Sequence, residues 1–203
     1  MKDREDDVLP FHREEWKIFL PCIRKWFQPY FQFAVQTGLM PSEQIALRET
    51  DWNRRENILK IRRGITPWGI TPLKNKYRRR DLRLNRHMTE TLEKQLSQKK
   101  NTRVDNECIF VNPDGSLLNR HSLYHLLWVP ALKKSGLAHR KMYNTRHTWA
   151  CWALAAGEDI NWVARWMGHR DITMVIRNYA NWIPNLTGRD GSRLAEIHKT
   201  VFE

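Results

Sequence analysis

The chain has 203 residues, enough for one sizeable domain with a real core. Its 35 Lys and Arg against 22 Asp and Glu leave a formal charge of +13, which favours a polyanionic partner: DNA, RNA or an acidic membrane face. No apolar run approaches the roughly 18 residues that span a bilayer, the opening "MKDREDD" leads into no signal stretch, and three scattered cysteines (Cys22, Cys108, Cys151) fit a reduced, intracellular protein without structural zinc.

In chain order, residues 11–47 read as helical. Pro21 ends or kinks the first helix, Pro29 suits the start of the second, Gly38 its C-cap, and Ser42 the N-cap of a short third. From Asp51 to Leu84 the pattern alternates, with Gly64, Pro67, Gly69 and Pro72 between the alternating runs. The expectation is a small antiparallel three-stranded β-sheet whose final hairpin turns near "LKNKYRR", with a short or edge strand at Pro72. "MTETLEKQLSQKK" predicts a helix over 88–100, and "ECIFVNPDGSLL" an extended piece with a turn at Asp114-Gly115. Further helices are expected at about 119–135, 145–156, 159–167 and 172–182, with Gly157 and Gly168 at C-caps and Pro184 ending the series. The fold class is mainly α with a small sheet (α+β), one domain over 1–184 and a tail over 185–203 carrying a short amphipathic helix. The ten tryptophans include pairs on one helix face, Trp149 with Trp152 and Trp162 with Trp166; core packing is the favoured reading over base stacking.

The segment 143–182 sets Arg146 at a helix start, His169 at a helix end and Tyr179 ten residues later. Cleaving a phosphodiester without metal takes a nucleophile, cations on the non-bridging oxygens and an acid for the leaving oxygen. Arginine's fork suits the second task, and tyrosine serves the first only in a strongly positive site. Spacing alone does not establish this picture.

The spelling does more. "TRHTWA", "MGHRD" and "VIRNYA" resemble, in order, the boxes of the tyrosine recombinase (phage integrase) family; "QTGLMPSEQIAL" resembles its other arginine box, and "LKNKYRRRDLRL" its sheet hairpin with a lysine. The resemblance runs from about Leu9 to Trp182. It implies the family's catalytic-domain architecture and site-specific DNA recombination or integration. Tyr179 would attack the scissile phosphate to form a 3′-phosphotyrosyl link, Arg146 and His169 would hold its oxygens, and Lys74 (with Lys76 as alternative) would protonate the departing 5′-oxygen. Glu43 matches the acidic residue that braces the first arginine. Neither metal nor cofactor is implied. The implied partner is double-stranded DNA, on which the protein self-associates as a tetramer, and the implied setting is the cytoplasm of a bacterium, near its nucleoid. Lys76, Arg78, Arg79, Arg80 and His147 are expected DNA contacts.

Two positions depart from the family pattern. Tyr143 stands where His or Lys is commonest, and a phenol is a poor general acid or base near pH 7. Met40 stands where the first phosphate-binding arginine is expected, and a thioether carries no charge and donates no hydrogen bond. Arg48 has no physical claim on the phosphate and reads as structural. His121 and His125 are four apart but lack a third ligand at metal spacing. The family usually adds an N-terminal core-binding domain, whereas this chain begins almost at the catalytic domain. The tail helix either packs on its own domain or docks on a neighbouring protomer. The alternative function is a DNA-binding relative with weak or no turnover; an RNA-binding protein that mimics these motifs is a distant third.

Overall fold

A computed structural model describes residues 8–102 and 106–183, together with Lys199; Pro184 and the expected tail helix, Lys199 apart, lie outside the described residues. Nine α-helices and five β-strands are described. Helix α1 (Arg13–Phe19) buries Trp16 and Phe19, three apart, and a 3₁₀ turn carrying Pro21 follows it. Helix α2 (Gln28–Thr37) opens with Pro29 and is buried on almost every side, through Tyr30, Phe31, Phe33, Ala34 and Val35. It is the central rod of the domain, against which α4 (Arg86–Lys99) and α7 (Asn144–Ala155) pack. Around its first half lies an aromatic core in which Trp128 meets Phe19 with ring centroids at 4.7 Å and Phe31 at 5.6 Å.

Helix α2 stops at Gly38, which takes the left-handed φ of +62. A side chain there would also collide with Trp149, since an added Cβ would sit 2.9 Å from its ring. Helix α3 (Pro41–Ile45) starts one corner later. Its N-cap is Met40, not the expected Ser42: Pro41, lacking an N–H, fits the first helical position, and the Glu43 carboxylate accepts the Met40 N–H at 3.2 Å.

The three-stranded antiparallel sheet has the order β1 (Trp52–Asn53), β2 (Ile58–Ile61), β5 (Arg80–Arg83). Between β2 and β5 the chain leaves the sheet as a separate two-stranded ribbon, β3 (Arg63–Thr66) with β4 (Gly69–Pro72). The chain does turn over 74–79, but the strands flanking that turn do not pair with each other, because Leu59 and Ile61 pair with Leu82 and Arg80. Pro72, with no N–H to donate, is thereby confined to a ribbon end. Trp68 at the ribbon's tip is 91% exposed.

The expected helix at 119–135 is present in three pieces, α5 (Arg120–Ser122), a π-helical stretch (Leu123–Trp128) and α6 (Val129–Ser135). Helix α8 (Ile160–Met167) is capped by Asp159 and ends at Gly168 with φ +77; α9 (Thr173–Tyr179) runs into a 3₁₀ turn at 180–182. Trp149 stacks on Trp166 at 5.6 Å and 14°, and Trp166 donates its indole N–H to the Thr37 carbonyl, so these tryptophans bind α7 and α8 to the end of α2.

Candidate active site

Three sharp chain reversals, at Gly38, at residues 74–79 and at Gly168, meet over the first turn of α7. Arg146 projects from that turn and is buried to 2% exposure. Its Nη1 donates to the Gly38 carbonyl and its Nη2 to the Met167 carbonyl, both at 2.7 Å; Nη2 also lies 3.2 Å from His169 Nε2. A guanidinium can only donate, so His169 Nε2 accepts and its proton sits on Nδ1. Burial, then Arg146, then Arg80 push the His169 pKa down to about 4, so the ring is neutral near pH 7. Two buried donors in this cluster, Arg146 Nε and His169 Nδ1, have no hydrogen-bond partner among the described residues. Unpaired buried donors of this kind favour an incoming acceptor.

Glu43 is 1% exposed and accepts from two arginines. Arg78 donates to Oε1 from Nε at 3.0 Å and from Nη2 at 2.9 Å; Arg80 donates from Nη1 to Oε1 at 3.3 Å and from Nη2 to Oε2 at 3.1 Å. Burial alone would raise the Glu43 carboxyl, but Arg80 foremost, with Arg146 and Arg78, holds it below its ordinary value. Arg80 is further fixed by the Trp166 and Arg78 carbonyls. The turn that carries Arg78 lies hard against Gly168: an added Cβ there would be 3.2 Å from the Arg78 Cα. Position 168 therefore needs glycine for close approach as well as for its φ.

Tyr179 ends α9, is 1% exposed, and places its hydroxyl 2.7 Å from His147 Nδ1. Burial raises its pKa well above the usual phenol value, and Arg146 only partly offsets this. His147 is itself buried, facing the tyrosine rather than solvent. Tyr143, one turn earlier on α7, packs its ring 5.0 Å from His147. A 470 Å³ depression lined by Pro41, Arg120, His121, Tyr124, His125 and Tyr143 adjoins this edge of the cluster. Met40 is half-buried at the Gly38 corner, Arg79 is exposed and donates to the Leu73 carbonyl, and Lys74 and Lys76 are exposed on the turn. Arg48 pairs with Glu107, away from this cluster.

Sequence reasoning missed that Arg78 and Arg80 both end on Glu43. The signal reached only Arg80, which is in phase with Leu82 and Leu84, the apolar face of the strand, whereas Arg83 points outward; Arg78 lies on the 3₁₀ turn before β5, where that alternation does not apply.

A buried arginine beside a neutral histidine, with a tyrosine ten residues on, sits in a chain whose residues 15–184 match the phage integrase family. The chain belongs to that family. Among curated relatives, this integrase chain is 29% identical to IntQ of Escherichia coli strain K12, a protein whose name calls it defective, over 86% of this chain and 50% of that one. It is 26% identical to the prophage integrase IntR of the same strain, over 87% and 48%, and 30% identical to the integrase of Salmonella phage P22, over 76% and 38%. It thus spans about half the length or less of these relatives. Among solved structures it shares its fold with the Tn1549 transposon integrase, in complex with circular intermediate DNA (TM-score 0.77, 18% identity, 98% of this chain and 69% of that one), and with XerA recombinase (TM-score 0.69, 18% identity, 96% and 64%).

Proposed function

We propose that this domain cleaves and rejoins DNA strands in site-specific recombination or integration. The observation that carries the proposal is the Arg146–His169 pair: two buried donors without partners, in a net-positive cluster that contains a tyrosine. Double-stranded DNA is the partner in this reading, in line with solved structures of the same fold in complex with DNA, among them the Tn1549 transposon integrase with circular intermediate DNA and a lambda integrase tetramer bound to a Holliday junction.

In the reaction, Tyr179 Oη attacks phosphorus, the bond to the 5′-oxygen breaks, and the phosphodiester is exchanged for a 3′-phosphotyrosine. Arg146 Nε and His169 Nδ1 donate to the non-bridging oxygens, where charge grows. The Tyr179 hydroxyl is hydrogen-bonded to His147 Nδ1, which takes the phenolic proton in the tautomer protonated on Nε2, and Lys74, on the exposed turn, supplies the proton that the 5′-oxygen takes. A 5′-hydroxyl from the partner strand reverses the step. Tyr179 is closed off from solvent, so the end of α9 must move outward for its oxygen to meet a phosphate. Lys76 and Arg79 bind the DNA backbone, and assembly into a tetramer on DNA belongs to the same reading.

One specific feature favours a second reading, a DNA-binding relative with little turnover: Met40 brings no cation to the phosphate. A nicked suicide site separates the two. The expected outcome is a covalent protein–DNA adduct that vanishes in Tyr179→Phe while DNA affinity is kept. Wild-type protein that binds the site and forms no adduct, while Met40→Arg forms one, would establish the second reading.

A further inference from the structure

Glu43, Arg78, Arg80, Arg146 and His169 form one electrostatic unit, and its charges do not balance. Three guanidiniums face a single carboxylate, and the histidine is neutral. Burying excess positive charge is costly unless an anion completes the set. The three arginines differ in what they have left to offer. Arg146 has spent both terminal nitrogens on the Gly38 and Met167 carbonyls and keeps only Nε. Arg80, with its side chain 8% exposed, is used on Trp166, Arg78 and both Glu43 oxygens. Arg78 gives Glu43 only its Nε–Nη2 edge, its side chain is 31% exposed, and no hydrogen bond to its Nη1 is described.

We infer that Arg78, gripped by Glu43 on one edge of its fork, presents the other edge to the scissile phosphate as the second guanidinium that position 40 does not supply. The inference deepens the strand-cleavage reading and rests on it for the identity of the phosphate. Glu43 is the common point: it accepts the Met40 main-chain N–H on Oε2 and Arg78 on Oε1, so Arg78 is held beside the corner where Met40 sits. The Arg78 Cα lies close against Gly168, the residue before His169, so the turn that carries Arg78 is packed beside the Arg146–His169 pair. Arginine suits the double task because its planar group can serve a carboxylate along one edge and a phosphate along another, whereas lysine offers a point charge.

The test is a titration with inorganic phosphate, followed by the NMR resonances of the His169 ring, on the intact chain. Wild type is expected to show saturable binding at one site. Arg78→Ala should weaken it by about 10- to 100-fold, the range for a lost charged hydrogen-bond donor. Arg83→Ala, which removes the same charge from the outward face of β5, should change it less than about twofold, as a screened surface charge does. Thermal melts establish that each variant is folded; should Arg78→Ala fail to fold, Arg78→Gln, which retains a donor for Glu43, carries the comparison and should still lose most of the phosphate binding. Wild type that binds no phosphate, an Arg78 variant that binds as well as wild type, or an equal loss in Arg83→Ala would each overturn the inference. A wild type that binds phosphate through Arg78 yet forms no adduct on a suicide site sinks the strand-cleavage reading and leaves Arg78 standing as a phosphate ligand, with the scissile assignment lost.

Discussion

Two arginines six residues apart, Arg140 and Arg146, are buried almost equally, at 4% and 2% exposure, and are treated in opposite ways. Arg140 lies 4.2 Å over the Phe11 ring and meets a carboxylate face to face, Nη1 to Glu15 Oε2 at 3.1 Å and Nη2 to Oε1 at 3.0 Å. That carboxyl is held below its ordinary value, by its hydrogen bond to Arg140 above all. Among the described residues Arg146 has no carboxylate in hydrogen-bond contact, only two carbonyls, a neutral imidazole and an unpaired Nε. The first arginine ties α1 to the loop before α7 through an opposite charge; the second is held by neutral partners alone. Burial alone therefore does not separate structural from functional arginines, but the partner does.

The strongest way to break the contrast is to remove each arginine in turn. Arg146→Ala should lower the rate of adduct formation on a suicide site by about 10²–10³ or more, the scale for a lost preorganised donor. Arg140→Ala should leave the rate per folded molecule within a few-fold of wild type; equal losses in the two variants would erase the distinction. On stability the order reverses. Arg140→Ala strands Glu15 and should cost about 2–4 kcal/mol in denaturant unfolding, toward the lower end for a buried pair because the Glu15 side chain stays 26% exposed. An unchanged midpoint would show the pair to be ornamental.

The pH dependence sharpens the same contrast. His169 holds its proton only below about 4 in the folded chain, against an ordinary value of 6.5. Between those values the unfolded chain binds the extra proton, so this contribution is fully present above 6.5 and declines as pH falls toward 4. Glu43 adds a loss of the same sign, but only below its ordinary 4.5. From pH 6.5 to 4.5 the melting temperature of wild type should therefore fall more steeply than that of His169→Gln, and parallel profiles would remove the buried neutral histidine from the picture. The smallest effect concerns the outward-facing charges. If the turn and its surroundings make about six phosphate contacts, log affinity for duplex DNA should fall with log salt with a slope near about −5, and Arg79→Ala should reduce that slope by about 1.

Most of the helical frame was legible because each helix announces itself locally, through Pro29, Gly38, Asp159 and Gly168 at its ends and apolar residues three or four apart. The order of the candidate-site residues was read from the resemblance alone. What escaped was decided by long-range pairing. The ribbon of β3 and β4 stands apart because β5 pairs with β2 and not with β4, a choice that no local pattern records. Glu43 and Arg78 are 35 positions apart, and Arg78 sits on a 3₁₀ turn, where no strand alternation marks it off from its exposed neighbour Arg79. His147 looked like one more basic residue beside Arg146; only the return of α9 brings the Tyr179 hydroxyl to it.

The corner at Gly38 explains how position 40 could change without the domain collapsing. What the corner contributes to the frame comes from main-chain atoms: the Gly38 carbonyl that receives Arg146, the Met40 N–H that Glu43 accepts, and the Met40 carbonyl that opens α3. None of these depends on which side chain residue 40 carries. A substitution at position 40 therefore leaves the bonds that hold the corner in place, and its cost to folding is confined to the packing of one half-buried side chain.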